Sequence, residues 1–130
     1  MESRECIATL KEHTGRVTSV AFSPNSSFLA SGSFDETIKL WDVESRKCID
    51  TFTGHTDDVW SVAFSHDGKL LASGSVDKTI KLRDVRGKRC FATLKGHIGL
   101  VESIAISPDN RFLASGSLEG IVLLWRVRRN

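Results

Sequence analysis

Three sets of chemically capable side chains recur at one fixed interval. His13, His55 and His97 stand 42 positions apart, as do Cys6, Cys48 and Cys90, and as do Trp41, Arg83 and Trp125. Histidines and cysteines are the usual ligands of zinc and frequent nucleophiles or bases, so both chemistries must be weighed. The cysteines are three in number, widely spaced and without a CxxC pair, which argues against a disulfide framework and a zinc site. No nearby pattern would lower a thiol pKa, so their shared phase is read as a small apolar side chain suited to a packed strand.

The elements that must position these groups follow from the same interval. Comparing residues 13–54 with residues 55–96 gives 23 identities in 42 positions without insertion or deletion. Each copy holds four short segments rich in β-branched and apolar residues, in the first copy Val17 to Ser23, Phe28 to Ser33, Thr37 to Val43 and Lys47 to Phe52. These are strands a to d of an antiparallel meander. Ser23-Pro24-Asn25-Ser26, Ser65-His66-Asp67-Gly68 and Ser107-Pro108-Asp109-Asn110 supply hairpin turns between a and b. Strands a and b, as in VAFS and FLASGS, are apolar or small on both sides, which suits a sheet covered on both faces.

One meander cannot cover both of its own faces, so the units must stack. A period in the low forties with four strands per unit points to an all-β propeller, and no helical periodicity competes with it. The predicted organisation is blade 1 over residues 13–54, blade 2 over 55–96, and blade 3 over 97–130 without its own strand d. The segment Glu5-Cys6-Ile7-Ala8-Thr9-Leu10 aligns with strands d of the first two blades, so residues 4–10 read as a strand d with no blade of its own.

Gly54-His55 and Gly96-His97 opening repeats, with Trp41-Asp42 closing a strand c, make the chain resemble the WD40 repeat over essentially its full length. The resemblance implies a buried hydrogen-bond network in each blade, built from a His before strand a, a Ser on strand b, an Asp in the b-to-c turn and a Trp on strand c. Carried over, blade 1 has the full set of His13, Ser31, Asp35 and Trp41. Blade 2 has His55, Ser73 and Asp77 but Arg83 for Trp, and blade 3 has His97, Ser115 and Trp125 but Glu119 for Asp. A buried guanidinium is costly without a partner, so Arg83 is expected to reach solvent or a carboxylate such as Asp58 or Asp77 and to leave blade 2 looser. Glu119, longer than Asp and followed by Gly120, is expected to reshape its turn. Glu12 stands where the other repeats open with Gly.

Ser, His and Asp together invite a hydrolase reading. Recurrence once per blade argues for a structural network, since catalysis needs an open substrate site and an oxyanion hole as well. Histidines placed one per blade would not converge on a metal. No catalytic, cofactor or metal site is therefore expected.

The resemblance also implies a rigid platform for protein or peptide ligands, with three top-face positions per blade: Arg16, Thr18 and Phe34; Asp58, Trp60 and Val76; Leu100, Glu102 and Leu118. Trp60 and Phe34 are the candidate anchors. Propellers of this family close by a strand from one terminus completing the blade at the other. Three blades fall below the four to eight of known propellers, so closure is expected between chains, as a homodimer of six blades or a trimer of nine. A fragment of a longer propeller would expose two apolar faces and an unpaired edge, so a complete assembly is expected over a truncated one. The near-identity of the repeats leaves a designed or recently amplified module as the alternative.

At 40% hydrophobic and 26% charged residues the composition is that of a globular domain, and no apolar run approaches a membrane span. With no signal-peptide core at the start, a cytoplasmic location is expected. A net charge of +2 is small for a nucleic-acid binder, and the basic cluster Arg126 to Arg129 reads as a solvated end.

Overall fold

The computed structural model of the chain describes residues 4–127. All regular elements among them are strands: β1 (Val17–Phe22), β2 (Phe28–Ser33), β3 (Ile38–Asp42), β4 (Lys47–Phe52), β5 (Val59–Phe64), β6 (Leu70–Ser75), β7 (Thr79–Asp84), β8 (Arg89–Lys95), β9 (Val101–Ile106), β10 (Phe112–Ser117) and β11 (Val122–Arg126). They form antiparallel meanders in chain order: β1 to β4, β5 to β8, and the three-stranded β9 to β11. Register repeats with the sequence, so that Ser19 faces Gly32, Ser61 faces Gly74 and Ser103 faces Gly116.

Turn chemistry sets the strand ends. Ser23 Oγ accepts the Phe28 N–H at 3.0 Å and contacts Asn25 Oδ1 at 2.8 Å, and Ser65 with Asp67 and Ser107 with Asp109 repeat the device. The tight b-to-c turns need a left-handed residue. Glu36 (φ 73°) and Lys78 (φ 73°) accept that strain, whereas Gly120 (φ 88°) takes it freely. Strand c of blade 1 starts one residue later than predicted, at Ile38 opposite Phe52, because β4 ends at Phe52, whereas β8 runs on to Lys95 and pairs Thr79.

The hydrophobic core lies between sheets rather than within one. Ala30, Ile38, Leu40 and Phe52 of the first meander meet Val59, Val62 and Phe64 of the second. Ala72, Ile80 and Leu82 of the second meet Val101, Ile104, Ile106 and Leu113 in the third. Stacking thus covers both faces of the middle sheet, as strands apolar on both sides require.

Residues 4–10, expected to pair only with another chain, form no strand pairing within this one and are exposed throughout. One expectation needs correction. The cysteines are not packed: Cys6 and Cys90 are exposed and Cys48 half-buried, all with free thiols. Cys48 and Cys90 sit on β4 and β8, the outer edges of their sheets, beside a register shift. Each thiol instead bonds locally, to the Ala8, Asp50 or Ala92 carbonyl two residues on.

Candidate functional site

In the first meander the order of donors fixes a proton chain. The Trp41 indole N–H, a donor only, gives to Ser31 Oγ at 2.9 Å, so the serine hydroxyl turns its proton to His13 Nε2 at 2.7 Å. His13 then carries its proton on Nδ1 and donates to Asp35 Oδ2 at 2.8 Å. Asp35 also takes the N–H groups of Thr14 and Thr37 and the Thr37 hydroxyl. Burial works to raise the Asp35 pKa, but these hydrogen bonds outweigh it and hold the carboxyl at about 2.

The serine, histidine and aspartate are connected as in a hydrolytic relay, yet the serine cannot act. Ser31, Ser73 and Ser115 are all buried inside their sheets, and Ser31 Oγ already serves an indole and an imidazole. The arrangement ties the loop before strand a to strand b, the b-to-c turn and strand c. A fully satisfied buried network of this kind specifies one geometry.

Blade 2 departs from it in a way the sequence reading missed. His55 bonds Ser73 Oγ at 2.7 Å and Asp77 Oδ2 at 2.8 Å. Burial, foremost, lowers the His55 pKa, with Arg83 and Lys81 adding to it against Asp77. Arg83 reaches neither solvent nor a carboxylate. It is buried, with Nη2 donating to the Thr53 carbonyl at 2.7 Å and the guanidinium 5.3 Å from the centre of the Phe52 ring. Its Nε has no hydrogen-bond partner among the described residues, and burial lowers its pKa. The Asp77 carboxylate is engaged by His55 and by its own turn, whereas Phe52 projects from the preceding sheet into the guanidinium's reach.

Blade 3 is broken at the other end. Trp125 and His97 both bond Ser115 Oγ, at 2.8 and 2.7 Å, but His97 Nδ1 is buried with no partner among the described residues. Glu119 accepts the N–H groups of Ile98 and Gly99 instead, at 3.0 and 3.1 Å. Its extra methylene carries the carboxylate past the ring, while the turn is not reshaped as expected: the Gly120 N–H bonds the Ser117 carbonyl at 3.1 Å, as Glu36 and Lys78 bond Ser33 and Ser75.

The nine top-face positions fall into three local groups. In each sheet the first residue's carbonyl accepts the third residue's N–H: Arg16 from Phe34 at 2.8 Å, Asp58 from Val76 at 2.9 Å, and Leu100 from Leu118 at 3.1 Å. The middle residue, Thr18, Trp60 or Glu102, is the one the register skips in strand a, a bulge that re-aims its side chain. Two groups meet across a seam. The Arg16 guanidinium lies 5.2 Å from the Phe34 ring centre, which lies 5.6 Å from that of Trp60 at 53°. Trp60 Nε1 has no hydrogen-bond partner among the described residues. Thr18 turns inward, its hydroxyl 2.6 Å from the Val59 carbonyl, and so belongs to the seam rather than to a free rim. Leu118 and Glu102 are exposed.

Sequence reading missed the groups that join the sheets. Ser19 Oγ accepts the Val62 N–H and Ser61 Oγ accepts the Ile104 N–H, both at 3.2 Å. Their signal was available, since serine recurs at 19, 61 and 103 in all three copies. Arg126 lies over the Phe112 ring at 5.6 Å, while Arg128 and Arg129 fall outside the described residues.

Comparison with known proteins finds the WD domain, G-beta repeat, matching at residues 4–42, 46–84 and 88–126. The chain is similar to the transcriptional corepressor LEUNIG_HOMOLOG of Arabidopsis thaliana, at 50% identity over 42 residues, 32% of this chain and 5% of that protein. It is similar to the Protein HIRA homolog of Drosophila melanogaster, at 46% over 43 residues, 33% of this chain and 4% of that protein. Human pre-mRNA-processing factor 19 is 49% identical over 41 residues, 32% of this chain and 8% of that protein. The matched stretch is thus a small part of each relative's length.

Proposed function

Because the chain belongs to the WD40 repeat family across three consecutive repeats, we propose that it is a non-enzymatic scaffold that holds a protein or peptide partner on its top face. The observation that carries this is the stack of Arg16, Phe34 and Trp60 across the first seam, a cation beside two half-buried rings. A half-buried aromatic pair beside a cation offers an apolar anchor flanked by a positive charge. Asp58 adds a carboxylate at the same rim. The test is selection of binders from a displayed peptide library, followed by Trp60→Ala. The proposal expects the selected peptides to lose affinity by tenfold or more on the variant while its mass and fold are kept. Unchanged affinity removes the site.

A second reading concerns the ring. Residues 4–10 lie exposed and unpaired, and β11 carries no further strand among the described residues. In this reading Glu5 to Leu10 of one chain add to β11 of another, completing the third blade, and two chains make six blades. It is supported by the alignment of Leu10 with Phe52 and Leu94, both of which pack in or against a core. A ring with no ligand at all would instead yield no selected peptide.

A further inference from the structure

The two seams inside the chain share one mechanism, and the chain carries both halves of a third. At the first seam a Cβ added to Gly32 would stand 2.7 Å from Val59 Cγ1, and at the second a Cβ on Gly74 would stand 2.6 Å from Val101 Cγ1. Those distances are impossible for real atoms, so glycine is there to admit a valine of the next sheet. Beside each socket Ser19 Oγ or Ser61 Oγ accepts a backbone N–H from the same incoming strand.

Gly116 and Ser103 occupy the same places in the third meander, but a Cβ on Gly116 meets nothing within 4 Å. The socket is empty. At the other end of the chain Val17 is a plug without a socket, 48% exposed where Val59 and Val101 are 0%. The surroundings agree. Val20 and Phe22 are 61% and 62% exposed where Val62 and Phe64 are 5% and 8%. Val122 and Leu124 are 74% and 71% exposed where Ile80 and Leu82 are 0% and 3%. Both unfilled halves match the filled ones in residue type and register.

The geometry points to a second copy of this chain as the occupant, its β1 docked on the β9 to β11 sheet, with Val17 entering the Gly116 socket and the Val20 N–H donating to Ser103 Oγ. The partner surface has the chemistry of the two seams already formed, so the docking continues an interface seen twice. A head-to-tail contact of this kind closes into a ring when its rotation allows. This inference rests on the self-association reading above, and names the residues that seat one copy on the next.

The test separates the two. The mass of the 130-residue chain in solution is measured first, then that of Gly116→Val. The added side chain fills the socket but meets nothing in the single chain, so the blade keeps its fold, read by circular dichroism. The wild type is expected at a multiple of 14.4 kDa, and the variant at 14.4 kDa or with dissociation at least about tenfold weaker. Val17→Asp should behave alike. Mixing the two variants leaves one intact seam, formed by Gly116 of one chain and Val17 of the other, and should restore a two-chain species that neither forms alone. A monomeric wild type overturns self-association and this inference with it, leaving a further repeat or another protein as the cover. An assembled wild type that Gly116→Val does not weaken overturns the inference alone.

Discussion

Arg83 reaches back across the first seam to Phe52, its guanidinium 5.3 Å from the ring centre, so the residue that breaks the blade 2 network also helps to hold blade 1 against it. The same position in blades 1 and 3 holds Trp41 and Trp125, whose indoles bond the buried serine. Arg83 is satisfied only in part: one carbonyl and one ring face for five N–H groups, with Nε orphaned.

Arg83→Trp is therefore expected to raise stability by about 1–2 kcal/mol, by removing a desolvated charge and returning an indole donor to Ser73. Urea unfolding of the two proteins measures it. A loss of stability would show that the contacts to Phe52 and Thr53 outweigh the network.

Glu119→Asp should bring a carboxylate to the orphaned Nδ1 of His97, as Asp35 and Asp77 do for His13 and His55. The expected gain is about 1 kcal/mol, together with a slowly exchanging imidazole N–H proton that the parent lacks. A stability gain without that proton resonance would refute the assignment.

Acid should weaken the fold in two steps. Burial foremost depresses the His55 pKa in the folded state, so below its ordinary 6.5 the unfolded chain takes up the proton first and stability falls. Asp35, held at about 2 against an ordinary 3.8, contributes stability that is present above about 4 and lost as the pH falls toward 2, and Asp77 is lowered in the same direction. The denaturation midpoint should drop from pH 7 to 5 and again from pH 4 to 2. A midpoint that rises on acidification contradicts the neutral His55.

Leu82 and Leu124 hold the same place in successive repeats but differ in exposure, 3% against 71%. Leu82→Ala should cost about 2–5 kcal/mol, whereas Leu124→Ala, measured at concentrations where the chain is dissociated, should cost less than about 0.5 kcal/mol. Equal costs would mean that the third sheet is covered within a single chain.

Deleting residues 1–10 should leave the stacked sheets intact, since residues 4–10 make no strand contact with them. It should abolish assembly if those residues complete a neighbouring blade. Sedimentation of the truncated and full-length chains gives the answer, and equal mass for both would exclude strand exchange.

The strands and their turns were legible because they are local or periodic, whereas which residues join in each buried network followed only from the resemblance to the WD40 repeat. A 42-residue interval fixes which serine, histidine and aspartate share a phase, and alternating small and apolar residues fix which segments are strands. What the sequence could not decide is what each group finds across a seam. Arg83 was expected to seek a carboxylate and found the Phe52 ring, because the neighbour lies 31 positions away in the chain and only stacking brings it close. The cysteines shared a phase with packed strands yet face outward, because β4 and β8 are edges and a sheet's edge is known only when its neighbours are placed. Residues 4–10 carry the composition of a strand without forming one. Strand propensity belongs to the sequence, but a strand also needs an edge to pair with, and that is supplied by tertiary structure or by another chain.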